Sequence, residues 1–438
     1  GRVGYRTSSS QEKMEGDILQ DQTMDGNSDG GSGAGTGAEI VYHNLSSQHI
    51  TDTIQKSPLV ELHRDMSEVD TIYCLHNPET QGMELLQKDA PLEDVRGFIH
   101  ERMVEAFITM ERMVAEEHIG SYGVCSNGLS LQSSHPMHLS WEHVMGAALD
   151  AVKEVHGTAS GADQVAKLST LQLPINLLET HGLKVANRIK QYLASPEKSD
   201  GLPKMIQIHS TRPLTCYPDR GTGTGYPFKL VDYLIPTAED GSGTGWSHEM
   251  KSMPTFYTQI LNETMAHFDA SHILELKEIE GRELSVEERE TLDGCKLLQS
   301  MIHDLDNNLS SGQIRSFLAY EEDLYTKVVP LIHDTFEELD EDSANLLQRF
   351  FRAHGTAVRH SIAKTTRSLL KSGGQGVEKY DIPDDIKLQD FALQFLLQQK
   401  CDGEHLSGNE PLIDRIVVGC SRAEHVVEAV QSTDNVND

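Results

Sequence analysis

From about residue 39 to 179 the chain alternates short apolar runs with longer amphipathic stretches, the pattern of strands and helices in βαβ units. The run 69–75 is short, β-branched and apolar and stops at His76-Asn77-Pro78, which predicts a strand. Pro91 suits the first turn of a helix in which Ile99, Met103, Ala106, Phe107, Met110, Met113 and Val114 recur at steps of three and four and share one face. Residues 119–125 predict a second strand ending at Ser126-Asn127. Ser140 then caps a helix whose apolar face includes Trp141, Met145, Ala148, Leu149 and Val152. A third strand over 168–175 precedes a helix over 183–193, and a fourth, 205–209, stops at Arg212-Pro213-Leu214. Four successive units with strands apolar on both faces predict a parallel sheet, either a barrel or doubly wound.

The remaining segments have other rhythms. Residues 8–38 are rich in Gly, Ser, Asp and Gln and end in Gly30-Gly31-Ser32-Gly33-Ala34-Gly35-Thr36-Gly37, a composition that predicts a flexible loop. The polar stretch 215–246 holds two glycine runs, 221–225 and 241–245. Pro227 follows the first and neither joins a strand directly to a helix, which argues against a phosphate-cradling turn. From 248 to 370 the period is helical almost throughout, with Ser285-Val286-Glu287-Glu288 as a helix start and Leu297, Met301 and Leu305 on one stripe. A helix over 388–398, a last buried strand over 414–419 and a helix over 423–430 complete the chain. The domains expected are the first part of a barrel over 1–247, an all-α insertion over 248–380, and the end of the barrel over 381–438.

Composition narrows the function classes. The 438 residues carry 68 acidic and 37 basic side chains, a net charge of −31. That repels nucleic acid and anionic membranes unless a basic patch intervenes, and the short run of Arg359, Lys364 and Arg367 reads as a solvated helix face. Six cysteines without C-x-x-C spacing predict free thiols in a reducing, intracellular and most simply cytoplasmic setting. Cys125 and Cys420 read as small packing groups. No run of about eighteen apolar residues predicts a membrane span. His135, His138 and His143 lack a ligand spacing, so no metal is expected.

In a parallel α/β barrel chemistry collects where strands end. Those positions hold His76-Asn77, Ser126-Asn127, Gln172 with Asn176, Arg212-Pro213, and Gly419 to Arg422. The segment Tyr73-Cys74-Leu75-His76-Asn77-Pro78-Glu79 resembles the strand of aldo-keto reductases that ends in their active-site histidine. Tyr122-Gly123-Val124-Cys125-Ser126-Asn127 resembles their G-V-S-N strand. Gln172-Leu173-Pro174-Ile175-Asn176-Leu177-Leu178-Glu179 is similar to the strand whose glutamine holds the nicotinamide amide, and Arg212-Pro213-Leu214 to the end of the next strand. The segment from Val417 to Val426 is similar to the one that grips the adenosine phosphate. Five short matches in collinear order, from about Tyr42 to Val430 and excluding the helical insertion, carry the resemblance.

The resemblance implies a TIM-type (β/α)₈ barrel, incomplete at its amino end, with the all-α insertion between its seventh and eighth strands. It implies reduction of an aldehyde or ketone, or oxidation of the matching alcohol or sugar, with NADP or alternatively NAD. His76 then orients the carbonyl. Ser126, Asn127 and Gln172 hold the carboxamide, and Arg212, Gly419, Ser421 and Arg422 complete the cofactor-binding set. His425 stands where the family often places a long polar or basic residue, which bears on preference for a 2′-phosphate. The family's catalytic tyrosine, lysine and aspartate belong before Gly1-Arg2-Val3-Gly4-Tyr5, so three strands are expected upstream; Tyr5 and Tyr42 do not stand in the matching motif. A small-molecule carbonyl or alcohol is the expected partner. The rival expectation is a non-catalytic barrel that binds or regulates a protein partner through its helical insertion.

Overall fold

The computed structural model describes residues 44–65, 71–157, 165–195, 199–216, 228–231, 246–269, 283–312, 316–336, 339–373, 378–403, 408–420 and 423–434, with 271, 274, 281 and 314. The predicted loop 8–38, Tyr5, Tyr42, both glycine runs, Ser421 and Arg422 lie outside these residues. The chain divides into two compact units, 1–213 with 392–438, and 214–391. The division falls earlier and later than the expected 247 and 381. Its far boundary follows from bonds: the Tyr380 amide donates to Leu370 O, and the Arg367 guanidinium donates to the carbonyls of Pro383 and Ile386.

The first unit opens with α1 (Ser47–Gln55) and α2 (Pro58–Asp65); Ser46 caps α1 by accepting from the His49 amide. Strand β1 (Ile72–His76) leads through a 3₁₀ turn (Pro78–Gly82) and α3 (Met83–Gln87) into α4 (Leu92–Ala115). Strand β2 (Ser121–Cys125) is followed by α5 (Trp141–His156), β3 (Leu168–Pro174) by α6 (His181–Leu193), and then comes β4 (Gln207–Thr211). These four pair in parallel and in order, and a further strand from the end of the chain, Arg415–Val417, adds beside β4. A doubly wound sheet reverses its strand order partway; this order never reverses. With right-handed crossovers such an order lays the connecting helices on one face.

The apolar positions agree with that arrangement. Leu75, Tyr122, Val124, Leu168, Leu171, Leu173, Ile206 and Ile208 share one core with Ile99, Met103, Phe107 and Met110 of α4, Val144 and Met145 of α5, and Val185 and Ile189 of α6. The predicted helix faces are thus the buried ones, and the period of 3.6 identified them. Two carboxylates, Glu111 buried and Asp414 half-buried, tie the layers further. Glu111 of α4 accepts from Tyr122 Oη at 2.7 Å and from the Lys167 amide at 2.8 Å. Asp414 accepts from Lys190 Nζ and from the Ile208 amide, both at 2.7 Å. Burial and the Glu111 carboxylate push the Tyr122 hydroxyl well above its ordinary range, so it stays a donor.

Two predicted strands shift. β4 starts two residues late because Met205 is 64% exposed, and it continues through Ser210 and Thr211, polar but buried. Ser210 Oγ donates to Ile175 O at 2.9 Å, which makes a hydroxyl acceptable there. The strand expected as buried over 414–419 is three residues long and lies at the edge, with Arg415 and Gly419 exposed and only Ile416 packed on the core.

The second unit holds a short antiparallel pair, β5 (Thr215–Cys216) with β6 (Phe228–Lys229), and helices α7 (Trp246–His267), α8 (Val286–Ser310), α9 (Phe317–Asp323), α10 (Val329–Thr335) and α11 (Glu341–Ser372). Ser285 and Glu288 form the expected capping box of α8. The buried stripe of α8 runs through Leu298 and Ile302; Leu297, predicted to lie on it, is 40% exposed. Tyr257, Ile260 and Phe350 complete that core. Buried His354 accepts from Tyr320 Oη at 2.8 Å and donates through Nε2 to Leu305 O at 3.2 Å, and burial lowers its pKa. Helix α12 (Leu388–Leu397) crosses the boundary of the two units; the edge strand is β7 (Arg415–Val417), and α13 (Ala423–Asp434) ends the described chain. Among the described residues no helix is long and apolar enough to cross a membrane.

Gly123 marks a close approach within the sheet. A Cβ there would meet Thr170 O at 2.5 Å and Cys74 Sγ at 3.1 Å, beside the register shift between Tyr122 and Gly123. The backbone oxygen cannot move without opening the ladder. Gly123→Ala is therefore expected to destabilise the first unit by about 1–3 kcal/mol, read as a lower urea midpoint with unchanged slope in far-UV circular dichroism.

Candidate functional site

Parallel register aligns one residue from each of the five strands. His76 stands opposite Cys125, Cys125 opposite Gln172, Gln172 opposite His209, and His209 opposite Arg415. Leu75, Val124, Leu171, Ile208 and Ile416, one residue away in each strand, point into the helix-packed core. Side chains alternate along a strand, so the row points to the opposite face. A polar line therefore crosses the sheet on the side away from its core.

The middle of the row is hydrogen-bonded with a defined direction. Gln172 Nε2 lies 3.4 Å from His209 Nδ1, and His209 Nε2 lies 3.0 Å from Gln207 Oε1. An amide nitrogen can only donate, so Nδ1 accepts and Nε2 carries the proton. Burial first, then the positive charge of Arg415, lowers the His209 pKa, which favours this neutral tautomer. Gln172 Nε2 also lies 4.0 Å from Cys74 Sγ. Burial, and secondarily Cys125, pushes the Cys74 thiol up to about 12, far from a reactive thiolate. Cys125 is buried, as a packing group should be, whereas Cys420 is exposed.

Above the row, each of two strand ends is closed by an asparagine and a glutamate. After β1, Asn77 turns left-handed at φ 45°, donates its amide to Cys125 O at 2.7 Å and accepts from the Asn127 amide at 3.0 Å. Buried Glu79 accepts from Ser126 Oγ at 2.7 Å and the Gly128 amide at 2.9 Å. After β3, Asn176 donates to Glu179 Oε2 at 2.8 Å and to Arg212 O at 3.2 Å, and its Oδ1 accepts from the amides of Leu178 and Glu179. Glu179 in turn pairs with Arg212 Nη2 at 2.9 Å, with both side chains largely buried. Helix α6 packs tightly here: a Cβ on Gly182 would meet Pro174 O at 2.5 Å.

The predicted residues divide accordingly. His76 and Gln172 share the row. Ser126 and Asn127 follow directly on β2, but the Ser126 hydroxyl is committed to Glu79. Arg212 follows β4 and is held by Glu179. Gly419 is exposed beyond β7, and His425 is exposed on α13. Sequence reasoning did not single out Glu79, Glu179, His209 or Arg415. The repeated Asn-x-Glu and Asn-x-x-Glu after two strands was the available signal for the glutamates; no local signal marks the other two. Among the described residues no cluster of three or more His, Cys, Asp or Glu could hold a metal ion. Compared with known proteins, the chain matches no family model, no curated protein and no solved structure.

Two outcomes follow. Glu79→Gln keeps the size of the side chain but leaves two donors with a weaker acceptor, an expected loss of about 1.5–3 kcal/mol in urea unfolding. His209 titrates lower in the folded chain than its ordinary value of 6.5. The unfolded chain then binds more protons below that value, so the contribution of His209 is present above pH 6.5 and is lost as pH falls toward the folded pKa. In His209→Gln the fall of stability with acidification is expected to be shallower than in the wild type, measured by urea midpoints from neutral pH downward.

Proposed function

We propose that the chain is a nicotinamide-linked oxidoreductase of the aldo-keto reductase kind, built on a (β/α)₈ barrel, that reduces an aldehyde or ketone or oxidises the matching alcohol or sugar. Its cofactor is NADP, with NAD the alternative. The observation that carries this reading is the shared register row: His76 and Gln172, which the resemblance assigns to the carbonyl and to the nicotinamide, stand two strands apart on one polar face. The unreversed strand order supports the barrel.

The residues present fit the cofactor in part. Gln172 Nε2 is engaged by His209, and its Oε1 has no protein partner among the described residues, so it can accept from a carboxamide N–H. The Asn127 side-chain amide is likewise unengaged. Ser126 does not fit as a direct ligand, since its hydroxyl donates to Glu79 and accepts from Gly128. Arg212, paired with Glu179, serves to floor the site. Gly419 leads toward the start of α13, a position suited to a phosphate.

The bound nicotinamide supplies the hydride. In its neutral form the His76 imidazole donates a hydrogen bond to the substrate oxygen as negative charge grows there, which lowers the barrier without a change of net charge. Gln172, oriented from behind by His209, would hold the carboxamide through its Oε1 acceptor. The five-residue row holds no tyrosine, so the proton that completes the alcohol comes from outside it.

Titrating NADPH and NADH into the chain while following nicotinamide fluorescence is expected to give micromolar binding. Gln172→Ala should weaken that binding by about tenfold, the worth of one hydrogen bond of ~1.4 kcal/mol. In a carbonyl panel His76→Ala should lower kcat/KM by about a hundredfold without altering the nucleotide Kd. Failure of the folded chain to bind either nucleotide would overturn the reading.

A further inference from the structure

The polar row ends, at its β7 edge, in a charge that the fold does not use. Arg415 is exposed on the edge strand and shares the register position of His209. Among the described residues no carboxylate pairs with it and no hydrogen bond reaches it. Its neighbour Asp414 is committed elsewhere, to Lys190 and the Ile208 amide. Arg112, Arg188 and Arg352 are also without an ion pair among the described residues, but Arg415 is the arginine that stands in the polar row. Arg212, Arg289 and Arg349 each meet a glutamate.

The surroundings of Arg415 favour an incoming anion. The nearest row member, His209, is bonded through both nitrogens and neutral, so it neither competes for Arg415 nor adds negative charge. Gln172, one strand further, is an uncharged amide. A guanidinium beside such groups offers a planar fork of donors matched to a carboxylate or phosphate.

We propose that Arg415 is the anion-recognition end of the row, binding a carboxylate or phosphate on a substrate whose carbonyl lies toward His76. Strands are spaced by about 4.8 Å, so Arg415 stands two strands, about 10 Å at the backbone, from Gln172 and four strands from His76. The anionic group is therefore expected toward the β7 side of the row and the carbonyl toward the β1 side. This substrate class rests on the reductase reading; binding of the anion at Arg415 does not.

The test uses para-linked biphenyl aldehydes that carry a carboxylate, a phosphate or a methyl group at the far end. Binding to the full chain in the presence of NADPH is measured by calorimetry, and turnover is measured in parallel. A charged compound is expected to bind at least about tenfold more tightly than the methyl compound. Arg415→Met should abolish that preference and Arg415→Lys should keep part of it. A stronger preference for phosphate identifies a phosphorylated substrate, and the reverse identifies a carboxylic one. An undiminished preference in Arg415→Met, or equal binding of charged and methyl compounds by the wild type, overturns the anion site. The expected preference with no binding of NADPH or NADH by the folded chain overturns the reductase reading alone, and nucleotide binding without the preference overturns the anion site alone.

Discussion

Each seam of the five-stranded sheet is closed by one carboxylate. Glu79 spans β1 and β2, Glu111 spans β2 and β3, Glu179 spans β3 and β4, and Asp414 spans β4 and β7. Taking a carboxylate out of water costs several kcal/mol, and the cost is offset only where donors from both sides are in position. At Glu79 those donors are a hydroxyl and an amide just past β2; at Glu111, a phenol of β2 and the amide preceding β3. A strand slipped by one residue would leave its carboxylate charged and unsatisfied. Hydrophobic burial drives collapse of this layer and fixes which face of each strand meets the helices, and the carboxylates add a polar constraint on the same register.

Register then determines what the opposite face presents. The line from His76 to Arg415 exists only because four pairings hold at once, and the shift between Tyr122 and Gly123 is part of them. Without that irregularity β3 would meet β2 one residue out of phase, and Gln172 would turn toward the core. Gly123 and the close approach of Thr170 are the steric side of the same adjustment. Site and fold are coupled through pairing, so substitutions at the seams are expressed on the polar face as well as in stability.

Periodicity made most of the elements legible. The stripe of α4 from Ile99 to Met113, three of the four expected β–α repeats and the Ser285 cap follow from local rules that need no knowledge of the neighbours; the fourth strand is followed by a short antiparallel pair instead of a helix. The β4 shift escaped those rules because Ser210 and Thr211 are polar yet buried, with Ser210 satisfied by a carbonyl far away in sequence. The seam carboxylates escaped them for the same reason: a lone glutamate reads as solvated unless its donors are known. His76 and Gln172 were legible as strand ends, and their alignment with His209 and Arg415 was not, since cross-strand register is absent from any single segment's pattern. Ser126 was legible as a polar strand end but not as the partner of Glu79.

Two of the chain's exits from the sheet run left-handed without glycine, Asn77 at φ 45° and Arg212 at φ 53°. An L side chain pays on the order of 1–2 kcal/mol for that conformation, and glycine would remove the penalty. Glycine would also delete the Asn77 acceptor and the Arg212 cation, the groups that tie these turns to Asn127 and Glu179. The backbone and the site thus prefer different residues at the same two positions. A search for thermostable variants of this chain would be drawn to glycine there and would return molecules with easier turns and a loosened floor beneath the polar face.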